Sequence, residues 1–284
     1  MITDIKYQNN LELKLKTDRS CQTICQHQYT TYPLRLSSIF RLEGATTNRA
    51  YLYSINTSPG LLANDVVTTS LYLAENTKLY FTDRDATKVH PMPKVDNQAT
   101  IDNQIVLENN ASLEWFPEPI ILYRDSVLEQ KTQIKLYPQA KLFLTEIILP
   151  GRLARGEYYD FKHYSNRLKI VDAEDKILYI DAMHLLGQTN LFQNDRLFAS
   201  LPIMGNAIAI LPEVDLSLLI EAIKSTSLIS DRNIETAITI LPSENGIAIR
   251  ALASKTREIK RCFANILSRI RHINRDNPLP YVPK

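Results

Sequence analysis

Carboxylates in short clusters are the residues of this sequence best suited to chemistry. Asp83 and Asp85 lie two residues apart, and Glu114 and Glu118 flank the one tryptophan of the chain. Two acids that face each other across a sugar can cleave a glycosidic bond by acid–base catalysis. A β-solenoid polysaccharide hydrolase or lyase using paired carboxylates is therefore one hypothesis, although each acid also fits a solvated turn or strand end.

A second group that could hold a ligand combines soft metal donors. Cys21, Cys25 and His27 are separated by even intervals, which in a β-strand would place all three on one face. Thiolate and imidazole donors bind metals such as zinc, nickel or copper. The alternative is that the cysteines act as small buried hydrophobes.

Several signatures of enzymes are missing from the sequence. It has no Walker A loop, no G-x-S-x-G elbow, no H-E-x-x-H and no glycine-rich dinucleotide turn. We therefore expect no catalytic activity, and we expect any nucleotide to be bound by a partner.

Composition narrows the class of protein. The 284 residues are 44% hydrophobic and 23% charged, as in ordinary globular proteins, and the net charge of +2 gives no nucleic-acid footprint. The first twenty residues are charged and lack the apolar stretch of a secretory signal, and no run is long enough to span a bilayer. With three cysteines, an odd number, we expect a cytoplasmic protein without disulfide bonds.

The elements that would position these residues are mostly strands. Short runs with period-two alternation fill the chain up to about residue 211. A pattern of two leucines separated by five residues recurs at 73–79, 107–113 and 136–142. A weaker fourth copy lies at 171–177, with valine and isoleucine in place of the leucines. This spacing predicts a strand, turn, strand unit that stacks on its neighbours, although isolated hairpins would give the same pattern.

The last third changes to helical periodicity. One apolar stripe follows Pro212, and a longer one contains Ile259, Cys262, Phe263, Ile266, Leu267 and Ile270. The sequence thus predicts a mainly β protein, a large superhelical architecture of stacked β-hairpins, with a helical C-terminal portion of two helices. We expect residues 1–212 to form the β-rich scaffold and 213–284 to pack on it within a single domain.

The longer helix carries bases on its other faces, at Lys255, Arg257, Lys260, Arg261, Arg269 and Arg271. The simplest interpretation is a solvated face; the alternatives are a docking surface for an acidic partner, with the first four bases as contacts, or a nucleic-acid module. Trp115 is a further candidate for partner binding.

Two local segments stand out by their glycines and prolines. Leu113 to Pro119 fits an extended edge strand ended by prolines, since proline withholds a ladder hydrogen bond. Gly151 to Glu157 predicts a tight turn that directs Arg152 and Glu157.

These segments also carry a resemblance to a known family. In order along the chain, the blocks that are similar to the UreD/UreH family of urease accessory proteins are Tyr32-Pro-Leu-Arg-Leu36, Thr82 with Ala86-Thr-Lys88, Glu114-Trp-Phe-Pro-Glu-Pro119, and Gly151-Arg with Gly156-Glu157. The chain departs from the family where a glycine-rich run usually ends in Gly-Asp, since it keeps only Gly60 and Asp65.

The resemblance implies a non-enzymatic maturation factor. Such a protein binds urease apoprotein, assembles with a second accessory protein and a nickel-binding GTPase, and lets nickel pass through polar passages without holding it permanently. The positions of this sequence that match family motifs, with the neighbouring Asp83, are the candidates for lining or shaping such a path: Asp65, Thr82, Asp83, Lys88, Glu114, Arg152 and Glu157. Oxygen donors suit passage, because a full set of imidazoles or thiolates would trap the ion.

Overall fold

The computed structural model describes residues 9–187, 189, 200–225 and 233–283. Its elements are, in chain order, β1 (Leu11–Thr17), β2 (Thr23–Thr30), β3 (Leu34–Leu36), β4 (Ala50–Asn56), β5 (Val66–Leu73), β6 (Lys78–Asp83), β7 (Thr87–Val89), β8 (Ala99–Leu107), β9 (Ser112–Phe116), β10 (Ile120–Leu122), β11 (Val127–Leu136), β12 (Lys141–Leu149), a 3-10 turn (Leu153–Arg155), β13 (His163–Val171), β14 (Ile177–Leu185), β15 (Ile203–Ile210), α1 (Leu216–Lys224), β16 (Ile234–Ile240), β17 (Gly246–Ala253) and α2 (Thr256–Ile273). The prediction of a mainly β protein with two helices, the second near the C-terminus, is confirmed for these residues.

The strands form two sheets. Within the described ranges, sheet A has seven strands in the order β14-β13-β11-β8-β5-β1-β2, and sheet B has ten, most of them in the order β16-β17-β15-β12-β9-β6-β4-β3. One hydrophobic core draws inward-facing residues from both sheets, for example Leu71 and Leu128 from sheet A and Phe81 and Leu142 from sheet B. The sheets are therefore stacked face to face.

The middle of the chain winds between the sheets as a superhelix. Strands β5, β8, β11 and β13 are parallel neighbours in sheet A, and β4, β6, β9 and β12 are parallel neighbours in sheet B. Parallel strands need a crossover connection, and here each crossover passes through the opposite sheet. Each turn of the superhelix thus adds one strand to each sheet.

The leucine repeat marks the corners of this superhelix. Leu73, Leu107 and Leu136 are paired in register across sheet A, and Leu79, Leu113 and Leu142 across sheet B. The fourth residue of each copy has a left-handed backbone, with φ of 61° at Asn76, 57° at Asn110 and 61° at Gln139. The three copies therefore stack as predicted, although the two strands of each copy lie in different sheets and form a corner, not a hydrogen-bonded hairpin.

The weaker fourth copy is not a member of this stack. Val171 and Ile177 are paired with each other in the antiparallel hairpin β13–β14, within sheet A. Val171 is also paired with Lys135, one position before the leucine row. The prediction failed at this copy because a hairpin and a corner share the same spacing of apolar residues.

The segment predicted to be an edge strand is internal. Strand β9 is hydrogen-bonded to β6 on one side and to β12 on the other, and all five of its residues are buried. The prolines lie beyond its end, since the strand stops at Phe116 before Pro117. They terminate the strand, as expected, but do not place it at an edge.

Two helices cover the outer face of sheet B. A second core joins residues of that face, such as Tyr80 and Phe143, to the predicted apolar stripes of α1 and α2. Helix α1 begins after Asp215, whose carboxylate accepts hydrogen bonds from the backbone N–H groups of Ser217 and Leu218. Neither helix is long and apolar enough to cross a membrane.

Candidate functional site

A cavity of about 150 Å³, lined by both apolar and polar side chains, lies between the two sheets. It extends across the strands, from β3 and β5 at one end to β14 and β17 at the other, so it follows the axis of the superhelix. We call it the intersheet cavity. Its lining includes inward-facing polar side chains from both sheets, which would otherwise be expected to be apolar: Thr69, Asn103, Gln130, Thr132, Glu146, Asn166, Asp181 and Asn206.

The polar lining is built by register. Thr69, Asn103 and Thr132 are consecutive partners across sheet A, and the Asn103 amide nitrogen donates to the Thr132 hydroxyl at 3.1 Å. On sheet B, Glu146 is paired with Asn206, which in turn is paired with Arg250. Polar residues at the same height of successive strands thus produce a continuous polar band inside an otherwise apolar core.

Glu146 is the central acid of the cavity. Its Oε1 accepts hydrogen bonds from Asn166 at 2.8 Å, from Tyr164 at 2.9 Å and from Gln130 at 2.9 Å, and its Oε2 accepts one from Asn206 at 3.1 Å. Burial raises the pKa of the Glu146 carboxyl, while the hydrogen bonds from its neighbours oppose that shift. The four donors are all neutral groups, so this carboxylate has no cation as a direct partner among them.

The cavity reaches the surface at an acidic rim, formed by Asp83, Asp85 and Glu118. The Asp85 side chain is 66% exposed, whereas that of Glu118 is 9% exposed. The Asp83 carboxylate accepts the backbone N–H of Glu118 at 3.2 Å. These contacts place three acids at one opening.

At the end of the intersheet cavity formed by β14 and β17, a salt bridge joins the two sheets. The Arg250 guanidinium of β17 contacts the Asp181 carboxylate of β14 at 2.6 Å. The lining as a whole has five acidic residues and one basic residue, and neither histidine nor cysteine is among the described residues that line it. Its electrostatic field therefore favours a cation, and its donors are of the weakly binding oxygen type.

Several residues matched to family motifs lie outside the cavity lining. Asp65 closes a turn, where its Oδ2 accepts the Leu62 backbone N–H at 2.8 Å. The Thr82 hydroxyl is buried and donates to the Phe116 carbonyl at 2.5 Å. Lys88 is exposed, and of the predicted path residues only Asp83 lines the cavity.

Glu114 belongs to a buried ionic cluster on the opposite side of sheet B. Because side chains alternate along β9, Trp115 faces the cavity and Glu114 faces α2. Arg271 of α2 donates to Glu114 at 2.9 Å and to Glu43 at 2.9 Å, and Arg49 contacts both acids at 3.1 Å. Arg271, predicted to lie on a solvated face, is 1% exposed because this cluster draws it inward.

The ionic cluster includes Asp276, beyond the end of α2. Arg49 contacts its carboxylate at 3.0 Å and Lys78 at 2.6 Å. Burial alone would raise the pKa of Asp276, but these two cations outweigh it and the pKa is lowered. The cluster anchors the C-terminal helix and the segment after it to sheet B.

The glycine turn at 151–157 forms as predicted. Gly151 has φ of 147°, and a Cβ there would lie 2.5 Å from the Glu157 carbonyl oxygen. The Arg152 Nε donates to Glu157 at 2.8 Å, and its guanidinium lies 4.3 Å from the centre of the Tyr123 ring. The hydrogen bond from Arg152 lowers the pKa of Glu157. This pair closes the turn that joins β12 to β13.

Trp115 and the bases of α2 are placed very differently. The indole of Trp115 is 8% exposed and packs against Phe81, and its buried Nε1 has no hydrogen-bond partner among the residues that the structure describes. Lys255, Arg257 and Arg261 are exposed. Lys260 is partly buried, because its ammonium pairs with Glu118 at the acidic rim.

The predicted soft-donor group does not assemble on one face. Cys21 lies in a turn before β2, and a bulge at Gln26 pairs Cys25 with inward-facing Leu15 but His27 with outward-facing Lys14. The even-spacing prediction is therefore wrong, since one extra residue reverses the alternation. No group of three histidine, cysteine, aspartate or glutamate residues suited to a metal occurs in the described ranges.

The sequence reasoning missed most of the cavity lining. Glu146, Asn103 and Asn206 lie at inward positions of strands that otherwise alternate apolar and polar residues. The signal in the sequence is a polar residue at a position where the alternation of the strand predicts an apolar, inward-facing one. It becomes informative only when the strands can be aligned in register.

The chain is similar in sequence to known proteins over nearly its whole length. The family model described as UreD urease accessory protein matches residues 8–284. The urease accessory protein UreD of Trichodesmium erythraeum is 45% identical over 276 residues, covering 97% of this chain and 99% of the relative.

More distant relatives extend the likeness. The urease accessory protein UreD of Actinobacillus pleuropneumoniae is 27% identical over 267 residues, covering 91% of this chain and 96% of the relative. The urease accessory protein UreH of Helicobacter hepaticus is 29% identical over 249 residues, covering 87% and 93%. These relatives are named as urease accessory proteins. Of the four acids considered for a hydrolase, Glu114 lies in the ionic cluster, whereas Asp83, Asp85 and Glu118 lie together at the acidic rim. The chain belongs to the UreD family of urease accessory proteins.

Proposed function

We propose that this chain acts in the cytoplasm as a scaffold that binds urease apoprotein and passes nickel toward its active site. In this proposal it recruits a second accessory protein and, through it, a nickel-binding GTPase. Family membership supports the role in urease maturation. The intersheet cavity is the observation that supports passage of the ion.

The cavity has the chemistry that a conduit requires. Its acids attract a divalent cation, and its amide, hydroxyl and carboxylate oxygens are ligands that Ni²⁺ exchanges readily compared with imidazole or thiolate. Glu146 lies midway, opposite Asn166 and beside Asn206. These side chains would contact a cation in transit without forming a closed cage.

The bases at the start of α2 are the proposed contacts for a partner. Lys255, Arg257 and Arg261 are exposed and lie on one end of a helix whose apolar stripe is fully used in packing. An acidic surface of a partner would complement them.

The maturation role is tested by deleting the gene and measuring the nickel content of urease purified from the same cells. We expect nickel-poor, inactive urease, and restoration by the wild-type gene. Fully loaded urease in the deleted strain would refute the role, and failure of the chain to co-purify with urease apoprotein would refute the scaffold.

The conduit is tested separately with a matched pair of variants. Glu146→Gln removes the charge at the centre of the cavity but keeps its size, and Glu129→Gln removes an exposed charge on the outer face of sheet A. We expect lower nickel loading of urease with the first variant only, with both chains still bound to urease. Equal loading would exclude Glu146 from the path.

A further inference from the structure

Two histidines meet on the outer face of sheet A, on the side away from the intersheet cavity. His163 of β13 and His184 of β14 have ring centres 4.4 Å apart, with an angle of 58° between the ring planes. His163 is partly buried, whereas His184 is exposed. The pair takes no part in the proposed conduit.

The register of the β13–β14 hairpin creates the pair. His184 is directly opposite Ser165, and Leu185 is opposite Tyr164. Tyr164 and Leu185 are buried in the core between the sheets, so alternation along the strands places both histidines on the other face. His163 and His184 are therefore diagonal neighbours across the hairpin, a relation in which aromatic side chains can reach each other.

The separation of the two rings matches that of two ligands of one metal ion. Imidazoles bound at about 2.1 Å, with a right angle at the metal, have ring centres about 4.5 Å apart. In a tetrahedral site the same bonds would separate the ring centres by roughly 5.3 Å. The observed 4.4 Å thus fits the right-angled positions of a tetragonal site, the geometry typical of Cu²⁺ and Ni²⁺.

A ring nitrogen of His163 supplies a second, independent indication of a ligand. Its Nε2 is shielded from solvent and has no hydrogen-bond partner within the described part of the chain. A buried polar nitrogen without a partner is unfavourable, and a bound ion would satisfy it. Burial and, after it, the neighbouring His184 lower the pKa of His163, so its ring is neutral at pH 7 and can offer a lone pair to a metal.

We propose that His163 and His184 together bind one divalent ion of the Cu²⁺ and Ni²⁺ class, and that the ion fastens β14 to β13. Two protein donors leave the other coordination positions to water, so the ion exchanges with solvent. Strand β14 lies at the end of sheet A in the described ranges, and the inner face of the same hairpin supplies Asn166 and Asp181 to the intersheet cavity. The ion would therefore steady one wall of the cavity from outside, which goes beyond the proposed function.

Calorimetric titration of the purified, tag-free full chain with NiCl₂ and with CuCl₂ tests the site. His184→Asn removes the exposed donor, and His27→Asn is the matched control because His27 is an exposed histidine on β2, at the opposite end of sheet A. We expect His184→Asn to bind at least about 10-fold more weakly, since even changes behind a ligand cost that much, and His27→Asn to match the wild type. His163→Asn, which removes the other donor, should behave like His184→Asn.

Electron paramagnetic resonance of bound Cu²⁺ distinguishes this site from the oxygen donors of the intersheet cavity. Coupling to two imidazole nitrogens is expected in the wild type and in His27→Asn. In His184→Asn the two-nitrogen pattern should be lost.

Stabilisation by the ion tests whether it fastens the hairpin. Only the folded hairpin brings both rings together, so Ni²⁺ at about 100 times its dissociation constant should raise Tm of the wild type by roughly 5 °C. Hydrogen exchange at the backbone amides of β14 should slow at the same time. Neither effect is expected in His184→Asn, whose Tm without metal shows whether it is folded.

Three results would overturn the proposal: equal metal affinity in His184→Asn and His27→Asn, a Cu²⁺ spectrum of the wild type without coupling to two nitrogens, or an ion that binds without slowing exchange in β14. None of these measurements involves urease. Their failure is therefore distinct from fully loaded urease in cells that lack the gene, which would refute the proposed function.

Discussion

Arg271→Met is a substitution for which the structure predicts a large loss of stability. The Arg271 side chain is 1% exposed, and its three nitrogens donate to Glu114, Glu43 and the Tyr51 hydroxyl. Methionine fills a similar length but offers no donor. Two carboxylates that are each 6% exposed would then share Arg49 as their cation.

The magnitude follows from the charges left behind. Among the described residues, the cluster contains three bases, Arg49, Lys78 and Arg271, and three acids, Glu43, Glu114 and Asp276. By this count, the substitution leaves one uncompensated negative charge in a buried site. Removing one partner of a buried ion pair costs about 3–5 kcal/mol. In a chain of this size, with about 2 °C for each kcal/mol, Tm should fall by roughly 6–10 °C.

Urea titrations of the wild type and Arg271→Met give the change in the free energy of unfolding. Arg269→Met provides the control, because Arg269 is exposed two residues away on the same helix, and its loss should stay within about 0.5 kcal/mol. Adding Glu114→Gln to Arg271→Met should recover part of the loss, since it removes one of the stranded charges. A loss below about 1 kcal/mol for Arg271→Met, or an equal loss for the control, would refute the reasoning.

Three further predictions concern stability. Burial opposes ionisation of Asp276, but Arg49, Lys78 and Arg271 together outweigh burial and lower the pKa of its carboxyl. The stabilisation from Asp276 is therefore complete above the ordinary pKa of 3.8 and is lost as the pH falls through the lower folded value. Urea titrations across that range should show a shallower acid dependence for Asp276→Asn, and an unchanged slope would contradict this. Gly151→Ala places a Cβ 2.5 Å from the Glu157 carbonyl oxygen at φ of 147°, and it should lower the free energy of unfolding by about 1–3 kcal/mol or more. Gly156→Asn should cost little, because Gly156 has φ of 76° and no described atom within contact distance of an added Cβ. Equal losses of stability in the two variants would contradict the turn geometry. Leu113→Ala removes a 0% exposed member of the corner row and should cost about 2–5 kcal/mol by chemical denaturation, with an exposed leucine changed in the same way as the control.

The superhelix could be predicted from sequence because its corners repeat. A leucine at each side of a five-residue turn fixes where the chain passes from one sheet to the other, and Asn76 and Asn110 suit the left-handed position of that turn. The apolar stripes of α1 and α2 were equally visible, because helical spacing differs from the alternation of strands. These features depend on residues close together in the chain.

The errors come from features that depend on distant partners. The bulge at Gln26 separates Cys25 from His27, and no local pattern marks it. The position of β9 inside sheet B depends on β6 and β12, whose pairing is set by the superhelix. Arg271 was assigned to solvent because its acidic partners lie more than 150 residues away in sequence.

The candidate site shows the same limit. Glu146, Asn166 and Asn206 come from three strands, and only register brings them to one point. The family motifs instead indicate residues with structural contacts: Arg152 closes a turn, and Glu114 anchors α2. The lining itself is marked by polarity at inward positions, which becomes evident once the strands are aligned.

The central claim, that the intersheet cavity conducts nickel to urease, is tested most directly by blocking the cavity. Asn103→Trp would place a large side chain into the polar band, whereas Gln104→Trp places the same side chain on the exposed outer face of sheet A. The nickel content of urease is then measured after maturation in cells with each variant, with co-purification confirming that each chain still binds urease. We predict urease largely without nickel for Asn103→Trp and normal loading for Gln104→Trp; full loading with the blocked cavity would contradict the account.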